Sequence, residues 1–298
     1  MSMLDLALMQ ALLSALAPRC RLVLVGDPAQ LPPVGSGAVW HRLQQSDVRE
    51  RFGSGAIHLT QTYRNRGAVA QLASALRDGG INKFQGGLVE LDAEANVRIH
   101  RESSRRLPLL IRKHWQAHHR QLQRLSEGLL DCSEAELSGK AEPLLAALEQ
   151  NLVLCPRRSG PWSLEDVHRS LLGEAIAEDP RRWPSGLPVI CGGNQPELGL
   201  ANGDLGITVG VGHQSRLLFR VAADDGGVGV KRLHPARLRR LEPAVALTIH
   251  RAQGSEADAV FVLWPQPLDS PDGSDHDRRL LYTAITRARV SLDLVIVP

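Results

Sequence analysis

Cysteine is scarce in this sequence, and the cysteines that occur stand apart from one another. The four lie at positions 20, 132, 155 and 191, and no two of them form a C-x-x-C pair. Zinc sites and disulfide frameworks need paired or regularly spaced cysteines. Neither is therefore expected, no metal site is predicted, and the cysteine usage fits a reducing, cytoplasmic setting.

Long apolar runs are also absent, and none approaches the roughly 20 residues that a membrane-spanning helix needs. The opening stretch 1–17 is apolar, but it carries Asp5 and lacks the basic segment that begins a signal peptide. Its leucines and alanines recur at helical spacing. This pattern predicts an amphipathic helix that packs on a sheet.

An excess of charge is the third absence. The 35 lysines and arginines face 32 aspartates and glutamates, which leaves a net charge of +3. So small an excess is compatible with a polyanionic partner but does not predict one. Any functional signal must come from where particular residues stand.

The first third of the chain has the pattern of an α/β fold, in which helices alternate with short apolar strands. Residues 21–25 form a continuous apolar run that predicts a buried parallel strand, and residues 56–59 predict a second one. Residues 68–76 predict a helix that ends at Gly79-Gly80.

Further strands and helices are predicted along the rest of the chain. Runs at 151–155 and 187–191 predict that the parallel sheet continues, with a helix over 164–177 between them. Short β-type runs between 202 and 242 are separated by turns, as in a small antiparallel barrel. The closing elements are predicted strands at 245–249, 259–263 and 292–297 and a helix over 277–288.

A polar turn follows the first predicted strand. Gly26, Asp27 and Gln30 stand at the carboxyl end of that strand, where open α/β sheets place their ligands. Glycine permits a tight turn, aspartate can hold a metal-bound water, and glutamine can sense a phosphate. The string predicts a nucleotide-facing loop, although a polar turn before a proline-rich loop would also explain it.

Two further strings combine hydroxyls, histidine and arginine near strand ends. Residues 248–256 read T-I-H-R-A-Q-G-S-E, and residues 282–289 read Y-T-A-I-T-R-A-R. Arginine suits a phosphate partner because its planar donor fork meets phosphate oxygens at several points and keeps its charge. Both strings therefore predict contacts with phosphate groups.

Together these strings resemble the motifs of superfamily-one helicases: 26–31 resembles motif III, 59–64 motif IV, 248–256 motif V and 282–289 motif VI. The resemblance implies a catalytic role for Gln30, Arg64 and Arg287, the last as an arginine finger toward the γ-phosphate. It implies nucleotide contacts by Gly26, Asp27, Gln30, Tyr63, Arg64, Gly254, Glu256 and Arg287. It implies DNA-backbone contacts by Thr248, His250, Arg251 and Ser255.

A narrower resemblance is carried by G-P-W at 160–162, L-P-V at 187–189 and L-G-L-A-N-G-D-L-G-I at 198–207. These strings resemble the RecD subunit of the RecBCD enzyme, the exodeoxyribonuclease V alpha chain. Membership would imply an ATP-dependent 5′ to 3′ DNA translocase that works with RecB and RecC in double-strand break repair and recombination.

The same resemblance implies a layout of the P-loop NTPase type. Residues 1–55 would be the C-terminal remnant of a first RecA-like motor domain. Residues 56–298 would be the second, a parallel sheet flanked by helices. This second domain would carry a helical insertion at about 92–150 and an SH3-like β-barrel at about 203–243.

Two parts of such a motor are missing from the sequence. ATP hydrolysis needs a glycine-rich phosphate loop with a lysine, and an acidic pair that holds Mg²⁺. Gly139-Lys140 is followed by Ala141 rather than serine or threonine, and no Asp-Glu dipeptide occurs. ATP and Mg²⁺ would then be bound mainly by a first motor domain that this chain lacks, and we expect the chain alone to have no appreciable ATPase activity.

Two other functions remain open. The chain could be a non-catalytic DNA-binding or scaffolding subunit of a RecBCD-like complex, or a free-standing RecD-like helicase that acts without RecB and RecC. A basic cluster at positions 231, 232, 237, 239 and 240 fits DNA phosphates, a partner subunit or a solvated surface.

Overall fold

The computed structural model describes residues 3–59, 67–91, 96–173, 179–223, 226–268 and 274–297. The helices are α1 (Leu6–Ala15), α2 (Val39–Leu43), α3 (Ser46–Arg49), α4 (Gly67–Val89), α5 (Leu109–Ser126), α6 (Glu134–Glu149), α7 (Leu164–Leu172) and α8 (Asp275–Ile285). The strands are β1 (Val97–Arg101), β2 (Asn151–Cys155), β3 (Pro188–Cys191), β4 (Leu205–Val209), β5 (Arg216–Ala222), β6 (Val228–Leu233), β7 (Leu241–Pro243), β8 (Leu247–Thr248), β9 (Ala257–Trp264) and β10 (Ala288–Ile296).

The chain divides into two units. Unit 1 comprises Met1–Ala95 and Leu268–Thr286, and unit 2 comprises Asn96–Pro267 and Arg287–Pro298. None of the helices described is long and apolar enough to cross a bilayer.

Unit 1 is built from helices in the residues described. Its core lies where α4 meets α8, with Leu76 and Leu281 fully buried there. Gly80 adopts φ 71° and ψ −166°, which is not a helical conformation, and therefore interrupts α4. Glycine is favoured at this position because it has no Cβ. The predicted helix end at these glycines is confirmed, and a second helical segment continues to Val89.

The strands predicted for unit 1 are wrong. Residues 21–25 and 56–59 form no regular strand, and Val23 and Val25 are 73% and 66% exposed. A strand forms only where a neighbouring strand accepts its backbone hydrogen bonds, and the described part of unit 1 contains no strand. The helix predicted near the start is present as α1, but for the same reason it does not pack on a sheet.

Unit 2 contains the predicted parallel sheet, with strand order β1-β10-β9-β2-β8. Strands β9 and β10 are mostly apolar in their C-terminal halves, where consecutive residues are buried on both faces, as in parallel strands covered by helices. On one face α5 and α7 pack through Ile111 and Val167 against Phe261. The predictions for β2, β9 and β10 are confirmed, and β8 is shorter than predicted.

The segment at about 92–150, predicted as helical, also contains a strand. Helices α5 and α6 are present, but β1 joins the edge of the parallel sheet beside β10. Arg98 and His100 of β1 both pair with the buried Asp293 of β10, at 2.7 and 2.8 Å. Alternating charged residues in β1 gave no apolar run from which a strand could be predicted.

A second sheet in unit 2 is antiparallel, with strand order β6-β5-β4-β3-β7. Helix α6 packs on it through Leu144 and Leu145, which meet Ile207 and Leu218. The prediction that 187–191 continues the parallel sheet is wrong, because β3 lies between β4 and β7. All four β3 side chains are buried, and such a strand has the same sequence pattern in either kind of sheet.

Candidate functional site

The 248–256 loop begins at the carboxyl end of β8, which lies beside β2 in the parallel sheet. Thr248 organises its first turn: its carbonyl accepts from Ala252 N at 3.0 Å, and its hydroxyl accepts from Arg251 N at 3.3 Å. Gly254 has φ 89°, a left-handed conformation that favours glycine and turns the chain into β9. The local hydrogen bonds thus fix the loop at a sheet edge where ligands commonly bind.

Arg287 joins the motif VI string to this loop. Its Nη1 donates to the Ser255 carbonyl at 3.0 Å, and its own carbonyl accepts from Ala257 N at 3.0 Å. Only 2% of Arg287 is exposed. A buried guanidinium must be hydrogen-bonded, so its removal would disturb the end of the loop as well as the charge.

Arg251 forms a two-pronged ion pair with Glu242 of β7. The Nη1–Oε2 and Nη2–Oε1 distances are 2.7 and 2.8 Å. This guanidinium holds the pKa of the Glu242 carboxyl below its usual range. The antiparallel sheet therefore supplies the partner of a residue that was predicted to bind DNA.

The far end of the loop carries a further ion pair. Arg289 Nη1 lies 3.5 Å from Glu256 Oε1, and Arg289 Nε donates to Asp258 at 2.9 Å. Helix α8 ends at Ile285, three residues before the predicted end, and Arg289 belongs to β10. His250 is partly buried in the same loop.

In unit 1, Asp27 is held from both sides of its carboxylate. Oδ1 accepts from Ala29 N at 2.9 Å, while Oδ2 accepts from Gln30 Nε2 at 3.2 Å and from the Tyr282 hydroxyl at 2.9 Å. Burial, followed by the charge of Asp27, raises the pKa of Tyr282. The motif III turn is thus attached to α8, and Gly26 beside it is exposed.

Neighbouring contacts strengthen this attachment. Leu31 N donates to Thr283 Oγ1 at 3.2 Å, and Arg279 Nη1 donates to the Pro28 carbonyl at 2.8 Å. Two predicted site residues, Tyr63 and Arg64, lie outside the described residues.

Two residues of these sites were not predicted. Tyr282 stood within a quoted motif, so its phenol was available as a signal. Glu242 belongs to no motif and lies between two apolar runs. Only the fold reveals that it faces Arg251.

One string that nucleotide sites commonly use is missing from the sequence. A phosphate cradle needs consecutive backbone N–H groups with a lysine, and the sequence has no such string. Gln30 and Asp27 are hydrogen-bonded to each other.

Two family models match segments of this chain. A model of the UvrD-like helicase C-terminal domain matches residues 243–295, and an AAA domain model matches residues 1–102. The RecBCD enzyme subunit RecD of Mycolicibacterium smegmatis is 33% identical, over 99% of this chain and 48% of its own length. The chain is a homologue of RecD. The resemblance predicted from the motifs is thereby confirmed.

Other relatives widen the comparison. The ATP-dependent RecD2 DNA helicase of Deinococcus radiodurans is 30% identical, over 97% of this chain and 34% of its own length. The match to the structure of Bacteroides Pif1 bound to single-stranded DNA covers 90% of this chain and 60% of the Pif1 chain, with 15% identity and a TM-score of 0.42. This RecD homologue spans about half the length of the RecD relatives that it matches.

Proposed function

We propose that this RecD homologue forms the C-terminal part of an ATP-dependent DNA helicase. The main support is the hydrogen bond between Arg287 and the Ser255 carbonyl. It connects the motif VI arginine to the motif V loop, so that the proposed nucleotide contact of Arg287 and the proposed DNA contacts of the loop would be directly linked. A motor needs such a link between its two ligands.

The DNA side of the proposal rests on Thr248, His250, Arg251 and Ser255. The loop that carries them follows a strand at the carboxyl edge of the parallel sheet. Arginine, hydroxyl and imidazole groups there suit contacts with a phosphate backbone, which carry most of the affinity of such proteins.

The nucleotide side is divided among Gly26, Asp27, Gln30, Tyr63, Arg64, Gly254, Glu256 and Arg287. ATP and Mg²⁺ would be bound mainly by a first motor domain with the lysine and acidic pair, of which residues 1–55 would be the tail. The exposed Val23 and Val25 support this assignment, because a complete parallel sheet would cover such a strand.

This proposal predicts that the purified chain hydrolyses no ATP above background, with or without DNA. Release of phosphate can be measured with single-stranded DNA present and absent, using wild type and Arg287→Ala. DNA-stimulated hydrolysis that Arg287→Ala abolishes would contradict the proposed division of the site.

For the rest of the domain layout we propose a second motor domain over residues 56–298. It would carry the helical insertion at about 92–150 and the SH3-like module at about 203–243. The antiparallel sheet of unit 2 supports a β module, which extends back to β3.

We further propose a cytoplasmic role in double-strand break repair, with 5′ to 3′ movement and RecB-like and RecC-like partners. The match to RecD subunits of RecBCD supports it. The match to the RecD2 helicase favours the free-standing alternative. Co-purification of the tagged protein from its own cells separates the two: RecB and RecC homologues in the eluate support the first, and their absence supports the second.

A further inference from the structure

The ion pair between Glu242 and Arg251 differs from the exposed pair of Arg239 and Glu197 in the same unit. Each carboxylate oxygen of Glu242 accepts a hydrogen bond from one terminal nitrogen of Arg251. The Glu242 side chain is 34% exposed and the Arg251 side chain 27%. By contrast, Arg239 and Glu197 in the same unit share one contact of 3.1 Å and are 77% and 51% exposed. An arginine–carboxylate pair with two parallel hydrogen bonds fixes the orientation of the guanidinium, which a single contact does not.

Glu242 is itself held in place. It lies on β7, opposite Ile190 of the buried strand β3, so its backbone belongs to the antiparallel sheet. The positive charge of Arg158 also favours the ionised carboxylate by lowering its pKa. The anchor of Arg251 is thus fixed by an element outside the loop.

The pair leaves Arg251 able to bind a second anion. A guanidinium has five N–H donors, and this contact uses one on each Nη. For the other three donors, among them the Nε–H, no hydrogen bond is recorded within the part of the chain that the structure describes. A phosphate can be bound along that free edge without breaking the ion pair.

We propose that Glu242 is a positioning residue for DNA: its carboxylate holds the Arg251 guanidinium so that the free edge meets a backbone phosphate. The inference rests on the proposed DNA role of the 248–256 loop. An arginine that is already ordered loses less side-chain entropy when it binds, and this ordering is worth about 0.5–1.5 kcal/mol per side chain. That corresponds to roughly a two- to tenfold change in affinity.

Charge and positioning predict opposite signs for Glu242→Gln. Removing a negative charge near DNA should by itself strengthen binding. Loss of the two-pronged anchor should weaken it. Glu242→Asp adds a second discrimination, because it keeps the charge but withdraws the carboxylate by one methylene group.

The test measures binding of the full chain to a fluorescent oligo-dT by anisotropy at several salt concentrations. We expect Glu242→Gln and Glu242→Asp to weaken binding about two- to tenfold. The matched control Glu197→Gln removes the same charge from an exposed pair and should bind as wild type or slightly more tightly. Thermal unfolding followed by circular dichroism verifies that each variant is folded.

A double-variant cycle separates positioning from a general structural effect. In the Arg251→Ala background, Glu242→Gln should no longer weaken DNA binding, because no guanidinium remains to be oriented and only the small gain from the lost negative charge is left. An unchanged or higher affinity of both Glu242 variants would overturn the inference, as would an equal loss in the Arg251→Ala background.

The same data distinguish failure of the inference from failure of the proposed function. If Arg251→Ala weakens binding but the Glu242 variants do not, only the inference fails. If the wild type does not bind, or Arg251→Ala binds as the wild type does, both fail.

Discussion

Units 1 and 2 carry motifs of the same helicase type on different kinds of support. In unit 2 the 248–256 loop rises from a five-stranded sheet whose central strands are almost fully buried. In unit 1 the Asp27 turn follows an exposed apolar segment and is held by side chains of α8. A functional loop can therefore be fixed either by a sheet beneath it or by a few polar contacts, and the two cases should respond differently to mutation.

The largest difference is expected from one substitution made in both units. Leu263→Ala removes a fully buried side chain from β9 of unit 2, which should cost about 2–5 kcal/mol of unfolding free energy. Leu13→Ala in α1 of unit 1 alters a side chain that is 52% exposed and should change it by less than about 0.5 kcal/mol. Urea unfolding of both variants measures this. Similar losses would show that Leu13 of α1 contributes as much to stability as the buried Leu263 of β9.

The contrast between units 1 and 2 also explains which strands could be predicted from the sequence. The predictions of strands β9 and β10 are confirmed, and the strands that pair with them lie within this chain. Residues 21–25 have an equally apolar pattern but form no strand, since hydrogen-bond partners are needed as well. Composition and periodicity indicate whether a segment favours a strand conformation. Hydrogen bonding to a neighbouring strand decides whether the strand forms.

The candidate site follows a similar rule. Local motifs identified Arg251, Arg287 and Asp27, because their spacing along the chain is characteristic. Their partners do not follow from that spacing: Glu242 precedes Arg251 and belongs to no motif, and Tyr282 is far from Asp27 along the chain. Neither contact leaves a periodic signal in a single sequence.

Acid should act on unit 2 through two buried histidines. Burial lowers the pKa of His118 and of His168 to about 4 from the usual 6.5. The unfolded chain therefore binds protons between pH 6.5 and 4 that the folded chain does not, so stability falls as pH falls through this window. Each histidine should contribute roughly 1 kcal/mol per pH unit.

His168→Gln tests this contribution. The glutamine oxygen can replace Nε2 as the acceptor for Ala246 N, which lies 3.3 Å from it, but it does not titrate. Urea unfolding at pH 6.5 and pH 4.5 should show a smaller loss for the variant than for wild type. Equal losses in the two proteins would rule out His168 as a source of acid sensitivity.

The smallest effect is expected for the polar contact in unit 1. Tyr282→Phe removes one donor from Asp27, which keeps Ala29 N and Gln30 Nε2, so the loss should be about 1 kcal/mol. In an Asp27→Ala background the same substitution should cost nothing. A cost that persists there would show that the phenol stabilises unit 1 through other contacts.

Hydrogen exchange with and without oligo-dT tests the central claim that nucleic acid is bound by the 248–256 loop. The account predicts slower exchange over residues 248–256 when DNA is added, and no change in α1. Protection confined to the basic segment 231–240, or no protection anywhere at concentrations that saturate binding, would contradict it.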